Sequence, residues 1–225
     1  KTVQKQRPKE AIGFQMEGEI YLAQRNVEHA QMAFKLALER EPTTNNATRV
    51  HALYAGAGRQ VEADQLAESW LKSRPTDAAF LFYLGTAAMT RSDYPSAEAR
   101  YRQLLALQPD NASTLNNLSW LLVKQGKTGA VAFAEQANKL LPDHVPFIDT
   151  LATALAAEKQ AAKAIEWQRK AIALTPQANE LRLNLARYLA ASGDRAAARA
   201  ELEKLAALGA SFGAQSEVAA MLKSL

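Results

Sequence analysis

Cysteine is absent from all 225 residues. Disulfides, thiolate metal sites and cysteine nucleophiles are therefore excluded together. Long hydrophobic runs are missing too: the longest candidate is "AAFLFYLGTAAM" at 78–89, well short of the roughly 18 apolar residues that a membrane-crossing helix needs. Charge is close to balanced, with 27 Lys and Arg against 23 Asp and Glu and a net +4. Lys1, Lys5, Arg7 and Lys9 against Glu10 supply +3 of that within the first ten residues. The excess is a solvated basic tip and lacks the spread over a face that a nucleic-acid surface requires. The three histidines, His29, His51 and His144, stand far apart with no second ligand at helical spacing, so no metal site is expected. There is no GxSxG, HExxH or phosphate loop. The GxG within "GAGRQ" follows no strand and reads as the end of a helix. No catalytic residue and no cofactor are expected. The chain starts at Lys1 with neither Met, signal peptide nor lipidation motif, and so reads as an excised or processed piece.

What is present is a period. With 48% hydrophobic residues and only 10 Gly and 8 Pro, the chain has the composition of a folded domain. Five prolines follow Leu/Ala-rich helical stretches: "ALEREP" at Pro42, "WLKSRP" at Pro75, "LLALQP" at Pro109, "NKLLP" at Pro142 and "AIALTP" at Pro176, spaced by 33, 34, 33 and 34 residues. Twelve residues before each stands an alanine (Ala30, Ala63, Ala97, Ala130 and Ala164), and Ala198 with Ala210 completes a sixth unit. A single hairpin of helices cannot bury its own apolar face, so regularity at this length predicts stacked helical hairpins. The recurring alanine predicts close helix contact. The two short spacings place deletions before the second unit's first helix and between Gly126 and Ala130, both in turns.

These features resemble the tetratricopeptide repeat over Ala11 to Ala210. The small residue of the family's eighth position is matched by Gly18, Gly85, Ser119, Ala152 and Ala186, with His51 as the departure. The turn inside each hairpin appears as "AGRQ", "RSDY", "QGK" and "SGD", with Gly58, Asp93, Gly126 and Gly193 suited to a helix end and tight turn. Trp70, where the family has a small residue, is expected to exchange volume with Ala67 inside the core. Glu62, Glu98 and Glu166 fall at surface spacing on second helices and read as solvating charges. The tail "AQSEVAAMLKSL" sets Val218, Met221, Leu222 and Leu225 on one stripe and reads as a capping helix. The expectation is an all-α, right-handed superhelical solenoid, a single domain over 1–225. Its repeats fall at about 11–43, 44–77, 78–111, 112–144, 145–178 and 179–210, with a cap at 214–225, and it would be the C-terminal part of a longer array.

The resemblance also implies a binding face. In the family, first helices line a concave groove through their fifth, sixth and ninth positions. Here these include Phe82 and Tyr83, then Asn116, Asn117 and Trp120, then Asp149, and then Asn184 and Arg187. Leu115, Leu118, Leu121 and Leu122 serve the core instead. Asparagine amides match a peptide backbone's donor and acceptor, and aromatic rings add area with few rotors to freeze, so an extended protein segment is the implied ligand.

Four stretches in order, "GFQMEGEIYLAQRNVEHAQMAFKLAL", "LNNLSWLL", "FIDTLATALA" and "LRLNLARYLAASGDRAAARAEL", resemble the C-terminal part of the repeat lipoproteins of the PEP-CTERM/exosortase system, the PrsT family. Ser119, Ala152 and Leu183-Asn184 depart from that pattern, and "SFGAQ" stands where a proline-containing "FP" is expected. This resemblance implies a non-catalytic scaffold on the periplasmic side of a bacterial envelope, acting with exopolysaccharide export and protein sorting. It would bind an envelope protein or peptide but no nucleic acid, and would reach the outer membrane only through an N-terminal lipid not in this chain. A cytosolic adaptor that clamps a chaperone's C-terminal carboxylate, and the accessory region of a glycosyltransferase-like enzyme, are the alternatives.

Overall fold

A computed structural model describes residues 10–225. The basic tip expected at Lys1, Lys5, Arg7 and Lys9 lies outside the described residues. Among the described residues there is no strand, and the thirteen α-helices form two compact units, one up to Arg91 and one from Ser92 to Leu225. The first unit holds α1 (Ile12–Ala23), α2 (Val27–Arg40), α3 (Thr44–Gly56), α4 (Gln60–Ser73) and α5 (Ala78–Thr90). The second holds α6 (Tyr94–Leu107), α7 (Ala112–Lys124), α8 (Ala130–Leu140), α9 (Val145–Ala157), α10 (Ala161–Leu174), α11 (Asn179–Ala191), α12 (Arg195–Ala206), a short 3-10 turn (Gly209–Ser211) and α13 (Gln215–Ser224).

Helix ends follow the sequence signals closely. α2, α4, α6, α8 and α10 each stop two residues before Pro42, Pro75, Pro109, Pro142 and Pro176, since the residue preceding a proline is pushed out of helical geometry. Side chains of Asn26, Thr43, Asp77, Asp93, Asn111 and Asp194 each accept a hydrogen bond from the backbone N–H three residues on, which caps a helix start. Every hairpin turn has a left-handed residue at the same place, namely Arg25, Gly58, Ser92, Gly126, Lys159 and Gly193, and the turn between α7 and α8 has a second in Gly129. In "RSDY" the turn conformation belongs to Ser92 (φ 59°), and Asp93 caps the following helix, a division of labour that corrects the expectation for Asp93.

Packing repeats with the same period. Ala30, Ala63, Ala97, Ala130, Ala164 and Ala198 are all buried at the starts of second helices. Gly18 is buried against Phe34, whose ring an added Cβ would approach to 2.5 Å. In the second unit each first helix packs on its own partner, on the preceding second helix and, for α9, on the preceding first helix α7. Leu118 and Leu122 of α7 meet Leu151, Ala154 and Leu155 of α9 in one cluster with Ala130 and Ala164. Trp70 is buried between Ala47, Ala67 and Phe80 as expected; its indole N–H donates to Asp77 Oδ2 at 2.8 Å. α13 covers the last hairpin, with Val218 fully buried on Leu183, Ala186, Leu202, Leu205 and Phe212, and Met221, Leu222 and Leu225 beside them.

Glu98 overturns its surface expectation. It is only 9% exposed and receives Lys127 Nζ at 2.7 Å, Gln125 Nε2 at 2.8 Å and Arg102 Nε at 2.9 Å. Burial pushes its carboxyl up, but these three donors outweigh it and hold the group down at about 2. The carboxylate ties α6 to the turn that ends α7, so the charge is a structural joint between successive hairpins. Spacing put Glu98 on the outer side of a second helix; the next hairpin's turn folds over it.

Removing residues 214–225 is expected to lower the melting temperature by at least about 5 °C. The change bares Leu183, Leu202, Leu205 and Phe212, and loss of buried Val218 alone is worth ~1.5–3 kcal/mol. Thermal melts by circular dichroism check this, and an unchanged melt would refute the capping role. Glu98→Gln leaves two cations facing a neutral amide and is expected to cost on the order of 1–3 kcal/mol at pH 7. The folded pKa is depressed, so the stabilisation is complete above the ordinary carboxylate range and fades as pH falls from about 4.5 towards about 2. Denaturant titrations should show wild type and Glu98→Gln converging over that window.

Candidate functional site

The implied binding residues fall in both units, and each set is built separately. In the first unit Phe82 and Tyr83 lie half-buried on α5. The Tyr83 hydroxyl is 2.8 Å from His51 Nδ1, and the two rings meet edge-on at 5.2 Å. Burial, reinforced by the nearby positive Arg91, pushes His51 down to about 4, while burial pushes Tyr83 up to about 12. Both are neutral at ordinary pH. His51, the misfit at a small-residue position, thus holds the hydroxyl of Tyr83, one of the residues expected to bind.

The second unit collects six of the residues. On α7, Leu115, Leu118, Leu121 and Leu122 are buried, while Asn116, Asn117 and Trp120 are half-buried on the other face. The Trp120 ring meets Tyr94 edge-on at 5.9 Å, and the Lys124 ammonium lies 5.1 Å from its centroid. Asn117 Nδ2 donates to the Tyr101 hydroxyl at 3.1 Å. Asn116 Oδ1 is buried without a hydrogen-bond partner, an acceptor in search of a donor.

Asp149, Asn184 and Arg187 are joined into one polar chain. A single oxygen of Asp149, Oδ1, accepts from Gln168 Nε2 at 2.8 Å and from Asn184 Nδ2 at 2.9 Å. Asn184 Oδ1 in turn accepts from Arg187 Nη1 at 2.6 Å. Arg187 then forks onto Glu217 of α13, with Nε and Nη2 each 2.8 Å from one carboxylate oxygen. Thr153 Oγ1 and the Tyr188 hydroxyl, 2.9 Å apart, make a second tie between α9 and α11. The arrangement rigidifies this face and consumes much of its hydrogen-bonding capacity. Leu183, at the fifth position of its repeat, is buried under α13 and contributes nothing to the face.

Sequence reasoning missed Gln168, Glu217 and the hydroxyl role of Tyr101. For Gln168 a signal existed: it occupies the slot held by Phe34, Tyr101 and Leu202 in other repeats, and a polar residue in a core slot implies a buried partner. Arg187 is engaged with Glu217, and in the first unit Arg49, at the sixth position of its repeat, pairs with Glu19. Among the described residues no cluster could hold a metal ion, and no helix is long and apolar enough to cross a membrane.

No protein-family model matches the chain. Over 125 residues it is 32% identical to tetratricopeptide repeat protein 21A of Mus musculus, a match covering 55% of this chain and 10% of that protein, so the chain spans about a tenth of that relative's length. A tetratricopeptide repeat protein from Parabacteroides merdae superposes with a TM-score of 0.71 at 16% identity, over 87% of this chain and 78% of the other. PilW, described as a widely conserved type IV pilus biogenesis factor, superposes with a TM-score of 0.72 at 18% identity, over 92% and 97% of the two chains. The architecture is all-helical, and the fold is that of the tetratricopeptide-repeat proteins.

Proposed function

We propose that this chain is a non-catalytic interaction scaffold that holds an extended segment of a partner protein on the first-helix face of its second unit. The observation that carries the reading is α7. One side of this helix is core, with Leu115, Leu118, Ser119, Leu121 and Leu122 buried, while the other presents a half-bare Trp120 beside the half-buried Asn116 and Asn117. A tryptophan flanked by amides is the composition of a binding anchor, with area from the ring and direction from the hydrogen bonds. Asn117, Asp149 and Asn184 are held by internal partners and act as a rigid polar wall along which the segment lies. Phe82 and Tyr83 offer an apolar contact of their own on the first unit, separate from this site. The carboxylate-clamp alternative is disfavoured because Arg49 and Arg187 already hold carboxylates of this chain.

The setting we propose is the periplasmic side of a bacterial envelope, in the exopolysaccharide and PEP-CTERM sorting system. Support comes from the order of the four sequence stretches and from the likeness to PilW, itself described as a pilus biogenesis factor.

Trp120→Ala is expected to weaken partner capture by about 30-fold, the effect of losing ~2 kcal/mol at a central aromatic anchor. Glu166→Ala, at an exposed position on α10, is expected to leave capture unchanged. Quantitative pull-downs from envelope and cytosolic extracts, run on variants whose melts match wild type, make the comparison. Equal capture by Trp120→Ala and Glu166→Ala would remove the site. Capture from cytosolic extract alone would remove the envelope setting.

A further inference from the structure

Asp149 is the sole carboxylate at the fifth positions of the repeats, the others being Gln15, Thr48, Phe82, Asn116 and Leu183. Its repeat also departs in the core: where the others place Phe34, Ala67, Tyr101, Ala134 and Leu202, it places Gln168. The structure joins these two departures. Gln168 is fully buried and turns its amide N–H onto Asp149 Oδ1 at 2.8 Å, and Asn184 adds a second donor to the same oxygen at 2.9 Å. Gln168 Oε1 is left buried with no partner, a cost that an apolar residue in that slot would not carry. Among the described residues nothing donates to the other oxygen, Oδ2, and no Lys, Arg or His comes within ion-pair distance of Asp149. In the same unit Glu98, Asp143, Glu201 and Glu217 each meet a Lys or Arg. An interior slot thus serves to aim a carboxylate that the fold does not neutralise. A supporting residue that fixes direction and leaves one oxygen open is the arrangement of a pre-organised binding group.

We infer that the partner segment carries a cationic side chain, lysine or arginine, that pairs with Asp149 Oδ2. This rests on the reading that an extended segment lies along the first-helix face of the second unit. A segment lying there covers a half-buried carboxylate and strips water from it, and a charge buried without a counter-charge is costly. A neutral N–H donor offsets only part of that loss, whereas a charged donor makes a bond about twice as strong. The chain's own cation on this face is spent: Arg187, one amide along the polar chain, is held by both oxygens of Glu217. Because Oδ1 already accepts twice, the contact is made through one oxygen. An ammonium meets that geometry as well as a guanidinium fork does.

Random peptides displayed on phage and selected against the full chain test this, the enriched sequences being synthesised and measured by fluorescence anisotropy. They are expected to share a Lys or Arg at one position and to lose affinity for Trp120→Ala. Replacing that basic residue by Gln in the peptide is expected to weaken binding to wild type about tenfold, between the effects of exposed and buried ion pairs. The same replacement should hardly change binding to Asp149→Asn. That variant keeps an oxygen for the two amides and is expected to melt as wild type does, while the peptide change probes the pair without altering the chain. Added salt should narrow the gap between wild type and Asp149→Asn. Trp120-dependent peptides with no shared basic residue, or with a basic residue that wild type and Asp149→Asn feel equally, overturn the inference and leave the scaffold reading standing. Basic peptides indifferent to both Trp120→Ala and Asp149→Asn overturn it as unspecific charge attraction. A selection that yields no Trp120-dependent peptide overturns the scaffold reading, and this inference falls with it.

Discussion

Each hairpin in this chain carries more apolar surface than its own two helices can hide, and the rest of the structure follows from that surplus. A leucine-rich first helix such as α7 has one face against its partner and another that only the next hairpin can cover. Stability is thus held between repeats, in clusters such as Leu118 and Leu122 against Leu151 and Leu155. Small residues at the crossings let the helices approach closely enough for those contacts, and Gly18 against Phe34 shows how little room is left. Where the stacking ends, something must stop it, and α13 does so with Val218 turned inward and small or polar residues on its outer side.

Dry contacts of this kind do not fix register by themselves, and buried polar side chains supply that precision. Asn46 Nδ2 donates to the carbonyls of Ala37 and Glu41. Asn138 Nδ2 reaches the carbonyls of Ala134 and Phe147, and Gln168 Nε2 that of Leu181. Each links the second helix of one hairpin to the first helix of the next. A slipped stack would leave these amides unpaired in the interior, at a cost of about 1–3 kcal/mol apiece. Glu98 does the same with charge.

The period, helix ends and inward faces were legible in the sequence because they are local or strictly repetitive. Prolines stop helices by backbone geometry, and an alanine every 33 or 34 residues marks a contact. What was not legible was which polar groups are already paired. Glu98 and Gln125 are separated by 27 residues, Asp149 and Asn184 by 35. Register brings such residues near one another, but pairing depends on side-chain reach across a packed interface, which the pattern does not encode. Spacing therefore placed Glu98 on the surface and showed none of the partners that Asp149 and Arg187 hold. The helix carrying Trp120 was readable because its two faces differ so sharply in composition.

The left-handed turn residues have an evolutionary consequence. Arg25, Ser92 and Lys159 hold a conformation that glycine adopts more easily, yet they occupy the same place as Gly58, Gly126 and Gly193, and all six are exposed. Flanking helices impose the backbone there, so the side chain is released from any duty in the core. Such positions let an ancestral array diversify: a basic group, a hydroxyl or no side chain at all can be exchanged at one corner of a duplicated unit while the packing that made duplication viable stays untouched.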